Sequence, residues 1–256
     1  MKVTVTQLGD DREEFADQWR KLARHVKGSS SDVVLLPEMP FSSWFCAAPK
    51  FDPKVWRRVV EEHRRWMERL GELGAPVVLG TSPLNQGRKR HNVGFVWTPK
   101  GVEWVQRKNY PPNERGFYEA TWYQRGDRRF KEFEVGRLKG GFMICSDIWS
   151  MSNARALGKG GAHLIATPRA TGKGSLEKWL AGGRVASVVS GAYSFSSNRS
   201  GMAGEVLFGG MGWAIDPDGM VIGTTSESSP FLTVDVDPKK AEAAKKTYPR
   251  DSLEPD

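Results

Sequence analysis

Asp32-Val33-Val34-Leu35-Leu36-Pro37-Glu38, the stretch DVVLLPE, carries the reading from which the fold follows. Val33 to Leu36 is a continuous apolar run of strand length, the mark of a strand covered on both faces. Glu38 stands just past its end, after a proline. A second stretch of the same form, AHLIATPR from Ala162 to Arg169, lies far along the chain. A further pair matches as well: GFVWTPKG, Gly94 to Gly101, and GWAIDPDG, Gly212 to Gly219, each ending in a hairpin turn, at Thr98 to Gly101 and at Asp216 to Gly219. Two similar α/β halves in the same order predict two sheets packed face to face with helices outside. The expected fold is therefore α/β, a four-layer α-β-β-α sandwich. No Pro/Gly/Ser-rich linker separates the halves, so residues 1–256 read as a single domain with a charged C-terminal tail over about 239–256.

Periodicity supplies the other elements. Lys2 to Leu8 alternates as a strand, and Asp10 to Lys27 is an amphipathic helix with Phe15, Trp19, Leu22 and Val26 on one face. Val55 to Leu73 reads as a second helix, Pro76 to Gly80 as a buried strand, and Asn92 to Val105 as a hairpin. Phe130 to Val135 is a strand expected to pair into the one that follows. Leu176 to Ser190 is helical, Tyr193 to Ser197 a strand, Gly212 to Gly223 a hairpin and Phe231 to Val236 the last strand.

Composition narrows the function classes. With 39% hydrophobic and 27% charged residues the chain is globular rather than disordered. Its two cysteines cannot form a disulfide framework, and no CxxC or Cys/His cluster offers a metal site. A reducing, cytoplasmic location is expected. Acidic residues interrupt the N-terminus before an apolar signal region could form, and no run is long enough to span a bilayer. The net charge of +8 raises nucleic acid as a partner. Yet the densest basic group, Arg57, Arg58, Arg64, Arg65 and Arg69, alternates with Glu61, Glu62 and Glu68 at helical spacing, the pattern of a salt-bridged helix face. With no nucleic-acid module visible, neither nucleic acid nor membrane is an expected partner.

The chemistry is expected around KGGFMICSDIW, Lys139 to Trp149. The apolar Phe142-Met143-Ile144 ends at Cys145, followed by Ser146-Asp147 and the first turns of a helix over Met151 to Gly158. A cysteine at such a junction sits among free backbone N–H groups, near the positive end of a dipole that lowers a thiol pKa. Free cysteine is also a common core residue, and the stretch alone leaves both readings open. Lys108, in QRKNYPP, falls after another strand and before a Pro-rich loop holding Glu114 and Glu119. Glu38, Lys108 and Cys145 thus each stand at the carboxyl end of a buried strand, where α/β sheets place their sites.

Taken together, LLPEMPF around Glu38, QRKNYPP around Lys108, GFYE at Glu119, GFMICSDIW around Cys145 and GGMGWAIDPDG near the end resemble the nitrilase superfamily of carbon–nitrogen hydrolases, over about residues 3 to 250. The resemblance implies a thiol amidohydrolase of the amidase or N-carbamoyl amidohydrolase branch. In it Cys145 is the nucleophile, Glu38 the general base, and Lys108 with the backbone N–H of Ser146 the oxyanion site. Glu119 matches the second glutamate of amidase-like members, and Glu114 the shorter spacing of others. Asp147 and Arg155 match structural positions. The resemblance further implies a small amide or carbamoyl substrate, no metal or organic cofactor, and a homodimer or higher homo-oligomer. Alternatives on the same site are a nitrilase or an acyl transferase, and outside catalysis a basic binding protein. Met151-Ser152 and Ala186 to Ser190 depart from the family pattern, and Asp147 stands where nitrilases proper carry glutamate. Trp44, Phe117, Trp122 and Trp149 would suit a flat or apolar acyl group, whereas Arg169 and Lys173 would read a carboxylate. Cys46 reads as packing; His25 and His63 lie on helices, His163 inside a buried strand and His91 in a loop, which argues against Cys-His catalysis. No GxSxG, P-loop or GxGxxG is present.

Overall fold

In the computed structural model, which describes residues 1–252, the chain runs β1 (Lys2–Gly9), α1 (Arg12–Ser29), β2 (Val33–Leu35), α2 (Pro53–Met67), β3 (Val77–Gln86), β4 (Lys89–Thr98) and β5 (Gly101–Arg107). It continues with α3 (Glu119–Trp122), β6 (Glu132–Val135), β7 (Leu138–Phe142), α4 (Met151–Lys159), β8 (Leu164–Arg169), α5 (Leu176–Ser190) and β9 (Tyr193–Ala203). The last elements are β10 (Val206–Gly209), β11 (Trp213–Ile215), β12 (Val221–Thr224), β13 (Phe231–Asp235) and α6 (Pro238–Ala244). The helix starts follow capping chemistry. Asp11 accepts from the N–H of Glu13 ahead of α1, and Asp52 accepts from Lys54 ahead of α2, with Pro53 at the first helical position.

The strands follow the order β5-β4-β3-β2-β1-β9-β8-β7-β6, with β13 beside β1 and both β10 and β11 beside β9. β1 belongs to both sheets: Val3 to Val5 pair with Val33 to Leu35 of β2, while Gln7 to Gly9 pair with Asn198 to Ser200 of β9. The two-residue alternation of a strand then sorts the core. Val33 and Leu35 join Val3, Val5, Val77 and Leu79 of their own sheet and Phe142, Leu164, Ala166 and Phe195 of the other. Val34 and Leu36 turn the opposite way, onto Phe15, Trp19, Leu22 and Val26 of α1. Ile165 of the second sheet packs with Leu157 of α4 and Ala186 of α5. Helix, sheet, sheet and helix are thus stacked in the expected α-β-β-α sandwich.

The sequence echo is a structural repeat. β1, β2 and β3 run parallel and feed the antiparallel pair β4 and β5; β7, β8 and β9 run parallel and lead to β11 and β12. DVVLLPE and AHLIATPR therefore hold equivalent places, as β2 and β8.

Several boundaries moved. β3 runs on past Gly80 to Gln86, turns at Gly87 (φ 62°) and pairs back along β4, with Pro83 opposite Asn92. Pairing with β4 outweighs the weak strand propensity of Ser82 to Gln86. β9 likewise continues to Ala203 and turns at Gly204 (φ 60°) into β10. The second helix stops at Met67, and Leu70–Leu73 forms a separate 3-10 turn. The tail begins with α6, capped by Asp237; its residues 253–256 lie outside the described part. No helix among the described residues is long and apolar enough to cross a membrane.

Candidate active site

Each expected group is held by backbone contacts from a neighbouring strand. In the loop after β2, Glu38 donates its N–H to the Arg169 carbonyl at 3.1 Å, and Met39 (φ 42°) donates to Thr81 Oγ1 at 2.8 Å. The Arg199 guanidinium, buried midway along β9, donates to the carbonyls of Met39 (2.6 Å) and Ser42 (2.7 Å) and pairs with Asp10. Lys108 follows β5 directly and donates its N–H to the Asn92 carbonyl at 2.8 Å. The next two N–H groups, of Asn109 and Tyr110, donate to the Asp147 carboxylate at 3.0 and 2.9 Å, tying the lysine loop to the cysteine turn. Cys145 has φ 47°, a left-handed conformation costing about 1–3 kcal/mol for a side chain of its kind. The turn is a 3-10 segment, Cys145–Trp149, first closed by the bond from Asp147 N–H to Ile144 O at 3.0 Å. The N–H groups of Cys145 and Ser146 precede that bond, as the first donors of any helical turn do.

The side chains converge. Lys108 Nζ, with no exposed surface, donates to Glu38 Oε1 at 2.7 Å and to Glu119 Oε2 at 2.5 Å. Asn92 Nδ2 donates to the same Glu38 oxygen at 2.7 Å, and the Tyr123 hydroxyl donates to Glu119 Oε2. The other oxygens, Glu38 Oε2 and Glu119 Oε1, are buried and have no hydrogen-bond partner among the described residues. Buried polar atoms are nearly always satisfied, so an orphaned carboxylate oxygen marks a place kept for something else. Cys145, 4% exposed, feels the charges of Glu38, Lys108 and Glu119.

The electrostatics correct one expectation. The thiol of Cys145 is pushed up rather than down, first by burial and then by Glu38, with Lys108 and the Ala170 N–H pulling the other way. A five-residue turn carries little aligned dipole, and the thiol faces two carboxylates in a dry site. Burial opposes the charge of Lys108, but Glu119 and Glu38 outweigh it and hold the ammonium well above its ordinary value. Burial and the neighbouring Glu38 raise Glu119 to about 7, against the pull of Lys108. Burial likewise takes Asp147 to about 7. A neutral thiol of this kind reacts only if a base takes its proton as it attacks.

A cavity of about 470 Å³ opens over Cys145, walled by Ser146, Phe117, Trp149 and Trp179, with Glu114 and Lys178 at its exposed mouth. Trp149 lies 5.0 Å from Trp179, centroid to centroid. Of the two glutamates, Glu119 meets Lys108 and Glu114 does not. Three residues expected to line the pocket do not reach it. Trp44 is buried behind Phe117 with its Nε1 on the Gly116 carbonyl (2.9 Å). Trp122 packs on Phe45 and Phe51 and donates to the Ala48 carbonyl. Arg169 is wholly buried, and Ser196 Oγ, Thr171 Oγ1 and the Met211 carbonyl take its donors at 2.7, 2.8 and 2.6 Å. It lies 4.0 Å over the Trp213 ring and is not among the residues that line the cavity. Lys173 lines a neighbouring depression. Cys46 is buried, with its thiol raised by that burial. Among the described residues no three His, Cys, Asp or Glu side chains converge as a metal cage.

Asn92, Tyr123 and Arg199 stand around the site with no motif to announce them. The first is mid-strand, the second lies in an aromatic run, and the third falls within β9, past the Tyr193 to Ser197 strand that periodicity predicts.

The sequence profile of the carbon–nitrogen hydrolase family matches residues 2–246. Among curated proteins, glutamine-dependent NAD(+) synthetase of Thermotoga maritima is 27% identical over 254 residues, covering 93% of this chain and 42% of its own. N-carbamoylputrescine amidase of Arabidopsis thaliana is 27% identical over 157 residues, covering 59% of this chain and 52% of its own. The chain thus spans about half the length of these relatives. Among solved structures, a carbon–nitrogen hydrolase from Helicobacter pylori G27 superposes with a TM-score of 0.87 at 22% identity, over 98% of this chain and 94% of that one. An amidase from Nesterenkonia sp. does so with 0.76 at 18% identity, over 99% and 96%. At these identities the structures speak for the fold.

Proposed function

The chain belongs to the carbon–nitrogen hydrolase family, and on that premise we propose that it is a thiol amidohydrolase. It cleaves a non-peptide C–N bond of a small amide or N-carbamoyl compound. The observation that carries this reading is the buried Lys108, bonded to one oxygen each of Glu38 and Glu119, while Glu38 keeps its other oxygen without a partner among the described residues and its charge acts on the Cys145 thiol.

The carbonyl carbon of the substrate sits over the Cys145 sulfur. Glu38 Oε2 takes the thiol proton as the sulfur attacks, which suits a thiol raised by burial. The oxyanion that forms is met by the Lys108 ammonium and the Ser146 N–H; removal of one such donor typically slows acyl transfer by about 10²–10³. Collapse of the intermediate breaks the C–N bond, and the proton held on Glu38 goes to the departing ammonia. Water then attacks the thioester, giving its proton to Glu38, and the acid leaves with the thiol restored. Glu119 holds Lys108 from the far side, so the ammonium stays in place when Glu38 is protonated.

The names of relatives extend the reading to substrates: a carbamoyl group, as in N-carbamoylputrescine, fits a pocket whose mouth carries Glu114 and Lys178. A second reading, release of ammonia from the glutamine side-chain amide, is favoured by the glutamine-dependent relative, whose match covers 93% of this chain. A cytoplasmic homodimer completes the proposal.

Incubation with a library of amides, carbamoyl compounds and glutamine, followed by mass spectrometry and an ammonia assay, tests both. An acyl adduct on Cys145, with ammonia release lost in Cys145→Ala, is expected. Ammonia release that survives Cys145→Ala would end the proposal.

A further inference from the structure

Away from the catalytic cavity, two depressions of about 200 and 320 Å³ share Gln86, Arg107 and Asp127 and so form one groove. Its walls carry Arg107 in the centre, Lys89 and Arg125 at one end, and Arg129 and Lys131 at the other. These cations come from the tip of β4, the end of β5 and the loop before β6. They are scattered in sequence and gathered only by the fold. Among the described residues Asp127 is the one carboxylate in the lining.

Two features separate this cluster from an ordinary basic surface. First, none of the five cations has a carboxylate within ion-pair distance among the described residues, whereas the α2 arginines at 58, 64 and 65 each meet a glutamate. Arg107 instead donates to the Gln86 amide oxygen at 2.5 Å. Second, the wall is built in place. Gly126 donates its N–H to the Lys108 carbonyl at 2.8 Å, Arg128 donates its N–H to Asn109 Oδ1 at 2.8 Å, and Lys131 donates its N–H to Gln106 Oε1 at 3.1 Å. Five like charges held around a concave, preformed surface repel one another until a multiply charged anion enters. Paired guanidinium forks suit phosphate oxygens in particular. Trp104, 39% exposed and packed edge-on against Phe95, lines the same groove beside Arg129 and Lys131.

We propose that this groove binds a small molecule carrying a polyphosphate. The phosphates bridge Lys89, Arg107 and Arg125, and an attached flat ring, where there is one, lies on Trp104.

Calorimetric titration of the full chain with magnesium-free inorganic triphosphate and with ATP tests this. Saturable binding of both is expected. Arg125→Ala/Arg129→Ala removes two charges from the groove and should weaken it about tenfold, with the melting curve unchanged. Arg64→Ala/Arg65→Ala removes the same charge from α2 and should change affinity less than about twofold. Tighter binding of ATP that drops to the triphosphate value in Trp104→Ala assigns the ligand to the nucleotides; equal affinities assign it to bare polyphosphates. No saturable binding of triphosphate, or equal weakening by the two double variants, would overturn the proposal. Lys89→Gln provides a milder variant should the double one fold poorly.

Discussion

On α2, Glu61 takes bonds from Arg64 and Arg65, both at 2.8 Å, with all three side chains 41% exposed or more. At the end of β5, Lys108 stands between Glu38 and Glu119 at 2.7 and 2.5 Å, with at most 1% of any of the three exposed. The distances hardly differ; the dielectric does. Around α2 water screens the pairs, and charge there serves solubility more than cohesion. In the site the same contacts hold two carboxylates that could not otherwise share a dry space, so loss of one partner is felt by all.

That contrast is most easily broken at Lys108. Lys108→Met should abolish ammonia release, a loss of at least about 10³-fold, and destabilise the fold by about 3–5 kcal/mol by stranding two facing carboxylates. A denaturant melt with a midpoint like that of the unaltered protein would erase the distinction. Glu38→Gln keeps the shape and an acceptor for Lys108 but removes the proposed base. Turnover should fall by about 10²–10⁴ while the melting temperature holds or rises.

Next comes pH. Glu119 and Asp147 have folded values near 7, above their ordinary 4.5 and 3.8, so the folded chain binds more protons than the unfolded chain between those limits. With respect to these groups stability should therefore be highest below about pH 4, decline as pH rises to about 7, and level off above. Glu119→Gln should flatten that decline in urea melts taken at successive pH values; an unchanged slope would place the titration elsewhere. Asn92→Ala, which strips one of two donors from Glu38 Oε1, should cut kcat about tenfold with KM unchanged and cost about 1–2 kcal/mol. At the small end, Arg64→Ala should leave activity alone, and any shift in melting should vanish in high salt.

How much of this could be read from the chain depends on what each residue's neighbours in sequence reveal. Glu38 and Cys145 each terminate an apolar run, a local signal that a strand end points into a site. The paired stretches at 32–38 and 162–169 displayed the repeat, hence the layers. Asn92 carries no such mark: it sits mid-strand, and only the pairing of β3 with β4 aims it at Glu38. Arg169 was misleading for the opposite reason. As the last residue of AHLIATPR it reads as a cation free to meet a carboxylate, but β8 runs through it, and burial at that point fixes its donors on Ser196, Thr171 and Met211. Trp44 and Trp122 show that aromatics around a site cannot be sorted by composition into those that touch substrate and those that support them. The direction of the Cys145 shift was missed because a dipole can be inferred from a strand-to-helix junction, whereas two buried carboxylates opposite it cannot.

The double membership of β1 has a mechanical consequence. A single eight-residue strand is stitched into one sheet by its first half and into the other by its second, so neither sheet can fray at that seam without pulling on its companion. Hydrogen exchange should find the amides of Val5 and Asn198 opening together and slowest of all, the two halves melting as one cooperative body despite their repeat.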